Sequence, residues 1–498
     1  MNILSSVVGL GLLFTWNLAV GASSLQSHAH DANHMVFALL DLRLDSAVAL
    51  AMEQLANDPH SYEAEQVMAY SYFLRSFIAE TPEALATFRR YHKEATQRLN
   101  SRVDTDPYTA ILIADIHLLW AMARSKHGEY IRAGWDTNRA YKVLKVIHRD
   151  HPDLVLVDKS MSIVHSSVGA LQGIQKSMVQ LFTALEGTVQ EGLVEIDKLY
   201  TSRLESPSLI WDVEVIVLRS LMALHIEGDP QLALEIIDQL DPSLRQTALI
   251  QFFRGSLLQK LGRASEATKC FCRSWTQDQF TFYYMNLQCG ISRLQLMDTS
   301  AIESLQLYTA QHPGPNYVKE AYQKLAWYEL IIRGSESGYE VYMEKVLQVG
   351  DDRVGSDQQA LKEARRKKTP HVGLLKARLL YDGGNYSQAA KILSGYDPIG
   401  LSVEDRIEWH YRMGRIAQAV EDWSVASFHY GYTIHEGGTS SLYYACNAAL
   451  QLGIICMDQG RQKQARYYFQ RCLELKPDSY QGSLHQKART RLSLLAGD

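Results

Sequence analysis

Two arginines in the last third of the chain, Arg378 and Arg415, have the side chains best suited to holding a ligand. Each guanidinium group can bind one carboxylate through two parallel hydrogen bonds, so two of them side by side would grip an acidic group or an extended peptide. Residues at related positions complete the candidate ligand-binding set: Tyr381, Asp382, Tyr411, Gln418, Asn447, Met457 and Asp458. The alternative is ordinary hydrated side chains with local pairs, such as Arg378 with Asp382 one helical turn on.

Three histidines near the N-terminus, His28, His30 and His34, are the candidate residues for metal ligation, with Asp31 between them. Imidazole and carboxylate groups ligate zinc or copper where a chain folds around the ion. The alternative is a flexible polar leader over residues 23–35, because chain termini are commonly poorly ordered. We expect the leader, and we predict neither a metal nor another cofactor.

Sequence signatures of catalysis are absent. The chain contains no GxxxxGK[ST] loop, no GxSxG elbow, no HExxH and no CxxC. No set of titratable residues has the spacing that acid–base or nucleophilic chemistry requires. We therefore predict that the protein is not an enzyme.

The composition favours a folded helical chain. Hydrophobic residues make up 46% of the 498 residues, and only 12 prolines interrupt helix formation. The formal net charge of -5 provides no electrostatic basis for nucleic-acid binding. A chain of this length exceeds one ordinary globular core, whereas a repeat architecture can lengthen its core along one axis.

Small residues recur at fixed offsets and indicate which elements position the candidate residues. In LQLGIICMDQGRQKQARYYFQRCLELKP they are followed by one aromatic residue and one proline: Gly453, Gly460, Ala465, Phe469, Cys472 and Pro477. This is the spacing of the tetratricopeptide repeat, in which two helices approach closely only where their crossing positions are small. The pattern predicts an all-α fold, a right-handed superhelical solenoid of antiparallel helix pairs.

Further units share these offsets. They comprise Gly414, Ala426 and Tyr430; Ala377, Ala389 and Leu393; and Gly255, Gly262, Ala267 and Phe271. Arg378 and Arg415 directly follow the small residues Ala377 and Gly414, so we expect both on the first helices, which line the concave wall. We predict divergent repeats over residues 36–350 and more regular repeats over 351–498, ending in a C-terminal helix.

The N-terminus resembles an export signal. Residues 7–20 form an apolar stretch, and Val20-Gly21-Ala22 resembles a small-residue cleavage site, which predicts a signal peptide over residues 1–22. A membrane anchor is the alternative, but polar residues within the stretch make it a poor membrane span. We expect export to the periplasm or cell envelope, with no integral span in the mature chain.

Six cysteines lie in the second half of the chain: Cys270, Cys272, Cys289, Cys446, Cys456 and Cys472. Cys270 and Cys272 are two positions apart on an expected helix, so their side chains point in different directions and do not pair with each other. Chains of this length do not need disulfides to fold. We interpret the six as buried packing thiols.

Longer phrases carry a family resemblance. They are LIADIHLLWAMARSKHGEYIRAGWDTNRAYKVLK, NYVKEAYQKLAWYELI, LLKARLLYDGGNYSQAAKIL, WHYRMGRI, NAALQLGIICMDQGRQKQARYYFQ and SLHQKARTRL. Their order and spacing resemble a family of exported tetratricopeptide-repeat proteins of Gram-negative bacteria, over the whole mature chain. A more distant similarity is to the eukaryotic tetratricopeptide-repeat-39 type. The resemblance implies the repeat fold and export, and no catalytic activity.

These observations predict a non-catalytic scaffold that holds a protein or peptide in its concave groove. A glycan- or small-ligand-binding helical-repeat protein of the envelope is the alternative. The terminal-carboxylate clamp of lysine and asparagine found in some repeat proteins is missing here. The sequence leaves the partner and the oligomeric state open.

Overall fold

The computed structural model describes residues 25–101, 106–171, 183–202 and 209–495, and within these ranges it contains helices and no strand. The predicted signal peptide, residues 1–22, lies outside the described residues. Of the predicted leader, residues from Leu25 onward begin the first helix, and the side chains of His28 and His30 are not described. His34 is exposed on that helix.

The described residues up to Phe271 form thirteen α-helices. They are α1 (Leu25–Leu40), α2 (Leu44–Asn57), α3 (Tyr62–Ala79), α4 (Pro82–Asn100), α5 (Pro107–Lys126), α6 (Tyr130–Asp150), α7 (Leu156–Gly169), α8 (Val189–Ser202), α9 (Leu209–Met222), α10 (Pro230–Ile237), α11 (Pro242–Arg245), α12 (Ala248–Lys260) and α13 (Ala264–Phe271). A π-helical turn, Ala223–Glu227, continues α9.

The described residues after Phe271 form twelve more. They are α14 (Tyr283–Gln295), α15 (Ala301–Gln311), α16 (Val318–Tyr328), α17 (Glu336–Gln348), α18 (Gly355–Arg366), α19 (Val372–Asp382), α20 (Tyr386–Ser394), α21 (Val403–Ala419), α22 (Trp423–Glu436), α23 (Tyr444–Asp458), α24 (Gln462–Glu474) and α25 (Gln481–Leu494). A π-helical turn, Glu329–Arg333, continues α16, and Pro398–Gly400 forms a 3₁₀ turn.

Consecutive helices pack as pairs, and the pairs stack. The most extensive packing is between α5 and α6, α7 and α8, α21 and α22, and α23 and α24. The first helices of successive pairs also contact each other, as α19 contacts α21 and α21 contacts α23. Each pair therefore buries its apolar face against its neighbours. The predicted all-α repeat solenoid is confirmed.

The small residues close the helix pairs as the spacing predicted. A Cβ atom on Gly453 would lie 2.5 Å from the ring of Phe469, and one on Gly414 would lie 2.7 Å from the ring of Tyr430. Real Cβ atoms do not approach other atoms this closely. The aromatic ring of the second helix thus occupies the space that a side chain on the first helix would need.

The solenoid also contacts itself between distant parts of the chain. The backbone NH of Phe280 donates to the carbonyl of Leu42 at 2.7 Å. The buried carboxylate of Glu80 accepts from Asn316 Nδ2 at 2.7 Å and pairs with Lys126 Nζ at 2.7 Å. These contacts join α3 and α5 to the loop before α16, so the winding encloses an interior space.

The cysteine interpretation needs correction at two positions, because Cys272 and Cys289 form a disulfide. Cys272 directly follows α13 and Cys289 lies within α14, and these helices pack against each other. Sequence spacing could not show this pairing, because it depends on the packing of two helices across an irregular connection. The other four cysteines are free and buried, as predicted.

Among the described residues, no helix combines the length and the apolar character that crossing a membrane requires.

Candidate binding cavity

The interior of the solenoid contains a cavity of about 1380 Å³. Its wall is built from α16, α18, α19, α21, α23 and α25. The turn at residues 225–228 and Lys260, the last residue of α12, face it from an earlier part of the chain. Four of these elements (α16, α19, α21 and α23) are first helices of their pairs. This placement follows from the superhelical winding, which turns one helix of each pair inward.

Of the nine residues predicted for ligand binding, Arg378 is the one whose side chain belongs to the cavity wall in the described structure. Its guanidinium carbon lies 4.9 Å from the ring centre of Trp327, and its Nε is 3.8 Å from Asp382. The local pair that the sequence offered as an alternative is therefore present. Asp458 is exposed and Met457 is partly exposed, outside the cavity lining.

Arg415 is held by two tyrosines instead of a carboxylate. It donates to the hydroxyl of Tyr411 from Nη1 at 3.0 Å and to that of Tyr381 from Nη2 at 3.0 Å. The Tyr411 hydroxyl also accepts from Asn447 Nδ2 at 2.7 Å. These contacts join α19, α21 and α23, so four of the predicted residues connect three successive repeats.

The same network continues through glutamines. Gln451 Nε2 donates to Asn447 at 3.1 Å, and Gln418 Nε2 donates to Gln451 at 3.1 Å. The Tyr430 hydroxyl donates to Gln418 at 2.6 Å. Gln451 also lines the cavity. The network links side chains of α19, α21, α22 and α23, and it fixes the relative positions of the repeats that form the wall.

Trp327 is a packing residue between two cations. It is 2% exposed and donates from Nε1 to Glu363 at 2.8 Å. Lys324 Nζ lies 3.8 Å from the centre of its ring, and the guanidinium carbon of Arg378 lies 4.9 Å from the same point. Burial lowers the pKa of Lys324 to about 8, with the positive charge of Arg378 adding to the effect and Glu320 opposing it. This environment makes Trp327 a buried packing residue and not an exposed stacking surface.

Tyrosines form an aromatic section of the wall. The rings of Tyr443 and Tyr444 are 4.6 Å apart, and those of Tyr443 and Tyr480 are 5.1 Å apart. Tyr480 is 46% exposed and has a left-handed backbone with φ of 61° at the start of α25. An exposed ring beside partly buried ones offers a stacking surface to a peptide or a sugar.

The cavity is electropositive, although the chain as a whole is acidic. Nine Lys or Arg side chains line it against six Asp or Glu side chains, whereas the net charge of the chain is -5. Basic residues that sequence reasoning did not select contribute to this balance, including Lys260, Lys487 and Arg491. The sequence shows that Lys487 and Arg491 are four positions apart and so lie on one helical face. Their position opposite Lys260 depends on how the solenoid winds, which the sequence does not show.

A metal site is not among the features of the described residues. No group of three or more His, Cys, Asp or Glu side chains in the described part of the chain is arranged to hold a metal ion. The histidine set at residues 28–34 falls outside that statement, because the side chains of His28 and His30 are not described.

Comparisons with known proteins identify the repeat. The tetratricopeptide-repeat family model matches residues 446–479, which cover most of the α23–α24 pair predicted from sequence. No curated protein matches the chain. The matched segment is thus a tetratricopeptide repeat within an all-α solenoid.

Solved structures that match the chain include the following three. A chain of the APC/C hetero-tetramer Cut9–Hcn1 is 12% identical with a TM-score of 0.27, and the match covers 93% of this chain and 97% of that chain. A circular tandem repeat protein is 12% identical, with a TM-score of 0.20 and coverage of 94% and 97%. A chain of Naa15/Naa10 bound to HypK-THB is 13% identical, with a TM-score of 0.18 and coverage of 94% and 80%.

Proposed function

We propose that the protein is a non-catalytic scaffold that holds a segment of a protein partner in its interior cavity. The observation that carries this proposal is the continuous wall formed by the first helices of successive pairs. The cavity of about 1380 Å³ exceeds the roughly 300–1,000 Å³ that is typical of small-molecule sites. A wall with aromatic, apolar and charged sections suits a peptide, which presents all three kinds of group.

The carboxylates of the cavity already accept hydrogen bonds from neighbouring side chains, which supports a binding role over catalysis. Glu408 accepts from Arg412 Nε at 2.7 Å, and Glu363 accepts from Trp327 and from Gln323 Nε2 at 2.6 Å. Catalytic carboxylates work when their proton or charge is available to a substrate. In this cavity the carboxylates hold neighbouring side chains in place.

We propose that the protein is exported to the cell envelope. The apolar leader with its small-residue cleavage site motivates this, and the Cys272–Cys289 disulfide supports it, because disulfides persist in oxidising compartments. Peptide mapping of the native protein without reduction, together with sequencing of its N-terminus, tests the proposal. A reduced Cys272 and an intact N-terminus in protein from its natural source would contradict it.

A glycan-binding function is the second candidate, and the exposed ring of Tyr480 against Tyr443 favours it. Sugars stack on exposed aromatic rings that have polar groups beside them. A glycan array probed with the wild type and with Tyr480→Ala tests this candidate. Signals that disappear in the variant would support it, and an array without signals would exclude it.

The scaffold proposal is tested by affinity capture from envelope extract. The bait is the full mature chain, compared with Ile454→Arg, which places a charge on the cavity wall, and with Tyr467→Arg on the outer face of α24. Ile454 lines the cavity, whereas Tyr467 is 61% exposed and lies outside it. We expect saturable retention of the same protein partners by the wild type and the outer variant, and loss of them by the cavity variant. Equal retention by all three would contradict the proposal.

A further inference from the structure

The acidic side chains that line the cavity are all engaged by other groups of the chain. Glu227 pairs with Arg219, Glu320 with Lys324, Glu363 with Trp327 and Gln323, Glu404 and Asp405 with Lys368, and Glu408 with Arg412. Their negative charge is therefore already committed within the wall. Any excess charge in the cavity must come from basic side chains.

Three basic side chains at one end of the cavity have no ion pair within the described residues. Lys487 and Arg491 lie on α25, and Lys260, the last residue of α12, lines the same cavity from an earlier part of the chain. Arg415 lies outside the cavity lining but close enough for its positive charge to act on Lys487, and its hydrogen bonds go to uncharged tyrosine hydroxyls. We call these four residues the basic cluster.

The members of the basic cluster act on each other. The pKa of Lys487 is lowered by burial and then by the positive charges of Lys260, Arg415 and Arg491. Protein atoms lie around the Lys487 ammonium group, but the residue as a whole is exposed to solvent. The ammonium group is therefore not covered. Like charges gathered without a counter-charge raise the local potential, and a ligand with negative charges relieves it.

The spacing of Lys487 and Arg491 indicates which ligand conformation fits the basic cluster. Lys487 and Arg491 are one helical turn apart on the face of α25 that lines the cavity, which separates them by about 6 Å along the helix axis. Alternate side chains of an extended peptide point to the same side and are about 6.6 Å apart. Two acidic residues at positions i and i+2 of an extended segment therefore match the two cations.

We propose that the basic cluster binds an acidic, extended segment of the protein partner, with carboxylates at alternate positions facing Lys487 and Arg491. This inference rests on the proposed scaffold function and specifies the chemistry of the partner. The nearby wall favours a peptide over a nucleic acid, since Leu450 and Ile454 add apolar surface for its uncharged side chains. The chain's net charge of -5 also repels a long polyanion outside the cavity.

Fluorescence anisotropy with short labelled peptides tests the proposal on the full mature chain. One peptide has glutamate at alternate positions, a second has the same glutamates at every third position, and a third has glutamine in their place. In an extended chain the second peptide points successive carboxylates to opposite sides. We expect the alternate peptide to bind most tightly and its affinity to fall with added salt.

Charge reversal on α25 is the matched test of the site. In Lys487→Glu/Arg491→Glu we expect the Kd of the alternate peptide to rise at least about tenfold. The control Lys463→Glu/Arg489→Glu makes the same change of charge at exposed positions outside the cavity, Arg489 being on α25 itself. We expect its Kd to stay within about twofold of the wild type. Lys260→Gln, on a different helix, provides a second variant if the α25 variant unfolds, and we expect weaker binding there too.

Equal affinity for the three peptides, or equal loss in the α25 variant and its control, would overturn the proposal. Tighter binding of a labelled oligothymidylate of equal charge would also overturn it. The capture experiment with Ile454→Arg separates this failure from that of the scaffold function. If partners that depend on the cavity still bind the charge-reversed variant, the scaffold function is supported and the proposal of an acidic segment is excluded.

Discussion

Tyr381 and Arg415 connect neighbouring repeats, because Arg415 Nη2 donates to the Tyr381 hydroxyl at 3.0 Å and the guanidinium carbon lies 5.0 Å from the ring centre. The arginine thus stacks on the ring of one repeat while it is anchored in the next. The position of Arg415 in the sequence predicts a ligand-binding residue. Its observed contacts give it a second role, which is to hold the cavity wall in register.

Removing the shared acceptor of this network should loosen the wall. Tyr411→Phe deletes the hydroxyl that accepts from both Arg415 and Asn447, and we expect a loss of about 1–3 kcal/mol because two donors lose their partner. Hydrogen exchange of the α23 amides measures this as a lower free energy of opening. Tyr467→Phe, at an exposed position, serves as the control. Unchanged exchange in Tyr411→Phe would contradict the structural role of the network.

The close approach of the last helix pair should make Gly453 intolerant of a methyl group. Gly453→Ala places a Cβ 2.5 Å from the Phe469 ring, and we expect a destabilisation of about 1–3 kcal/mol from overpacking. Gly431→Ala is the control on α22, where a Cβ would meet nothing within 4 Å. We expect the control to be neutral or slightly stabilising, since alanine favours helix. Urea unfolding that ranks the two variants in the opposite order would contradict the packing.

A buried ion cluster should depend on Lys159. This side chain is 0% exposed, and its Nζ lies 3.2 Å from Asp115 and 3.8 Å from Glu214. Lys159→Met leaves both carboxylates buried without their cation, which should cost about 3–5 kcal/mol. Lys145→Met removes a surface lysine paired with Glu186 and should leave the thermal midpoint unchanged. Similar midpoints for both variants would show that the buried cluster does not stabilise the fold.

The paired histidines His92 and His117 should make the fold sensitive to acid. Their ring nitrogens are 2.9 Å apart, and burial lowers the pKa of His92 to about 3 and that of His117 to about 4. In the unfolded chain both would titrate near pKa 6.5. The unfolded state therefore binds more protons below that pH, and stability should fall as the pH decreases from about 7 toward 4.

The measurement compares thermal midpoints at about pH 7.5 and about pH 5. The variant His92→Gln/His117→Gln keeps two side chains that can hydrogen-bond to each other and removes their titration. We expect a smaller difference between the two midpoints in the variant than in the wild type, whatever its midpoint at neutral pH. An equal difference would place the acid sensitivity elsewhere in the chain.

The fold was predictable because repeat packing depends on local spacing. The offsets that join Gly453 to Phe469 and Gly414 to Tyr430 are the helix crossings themselves, and a pattern within about thirty residues is sufficient to find them. The Cys272–Cys289 disulfide was not predictable. The two residues are joined by an irregular stretch, and no periodic pattern in the sequence predicts the path of that stretch.

The candidate site was predictable only in part, for the same physical reason. Arg378 could be placed on the inner wall from its position after Ala377, because the repeat fixes which helix faces inward. The partners of Arg415 and the approach of Lys260 to Lys487 arise from contacts between repeats and between distant turns of the solenoid. No pattern within a short stretch of the sequence predicts those contacts.

The most direct test of the account is site-specific photocrosslinking in the native envelope. A photoreactive amino acid replaces Thr490 in the cavity or Tyr467 on the outer face, and mass spectrometry identifies the attached residues. The account predicts that Thr490 becomes joined to an acidic segment of a partner protein and that Tyr467 does not. Attachment of the same partner through Tyr467, with none through Thr490, would contradict it.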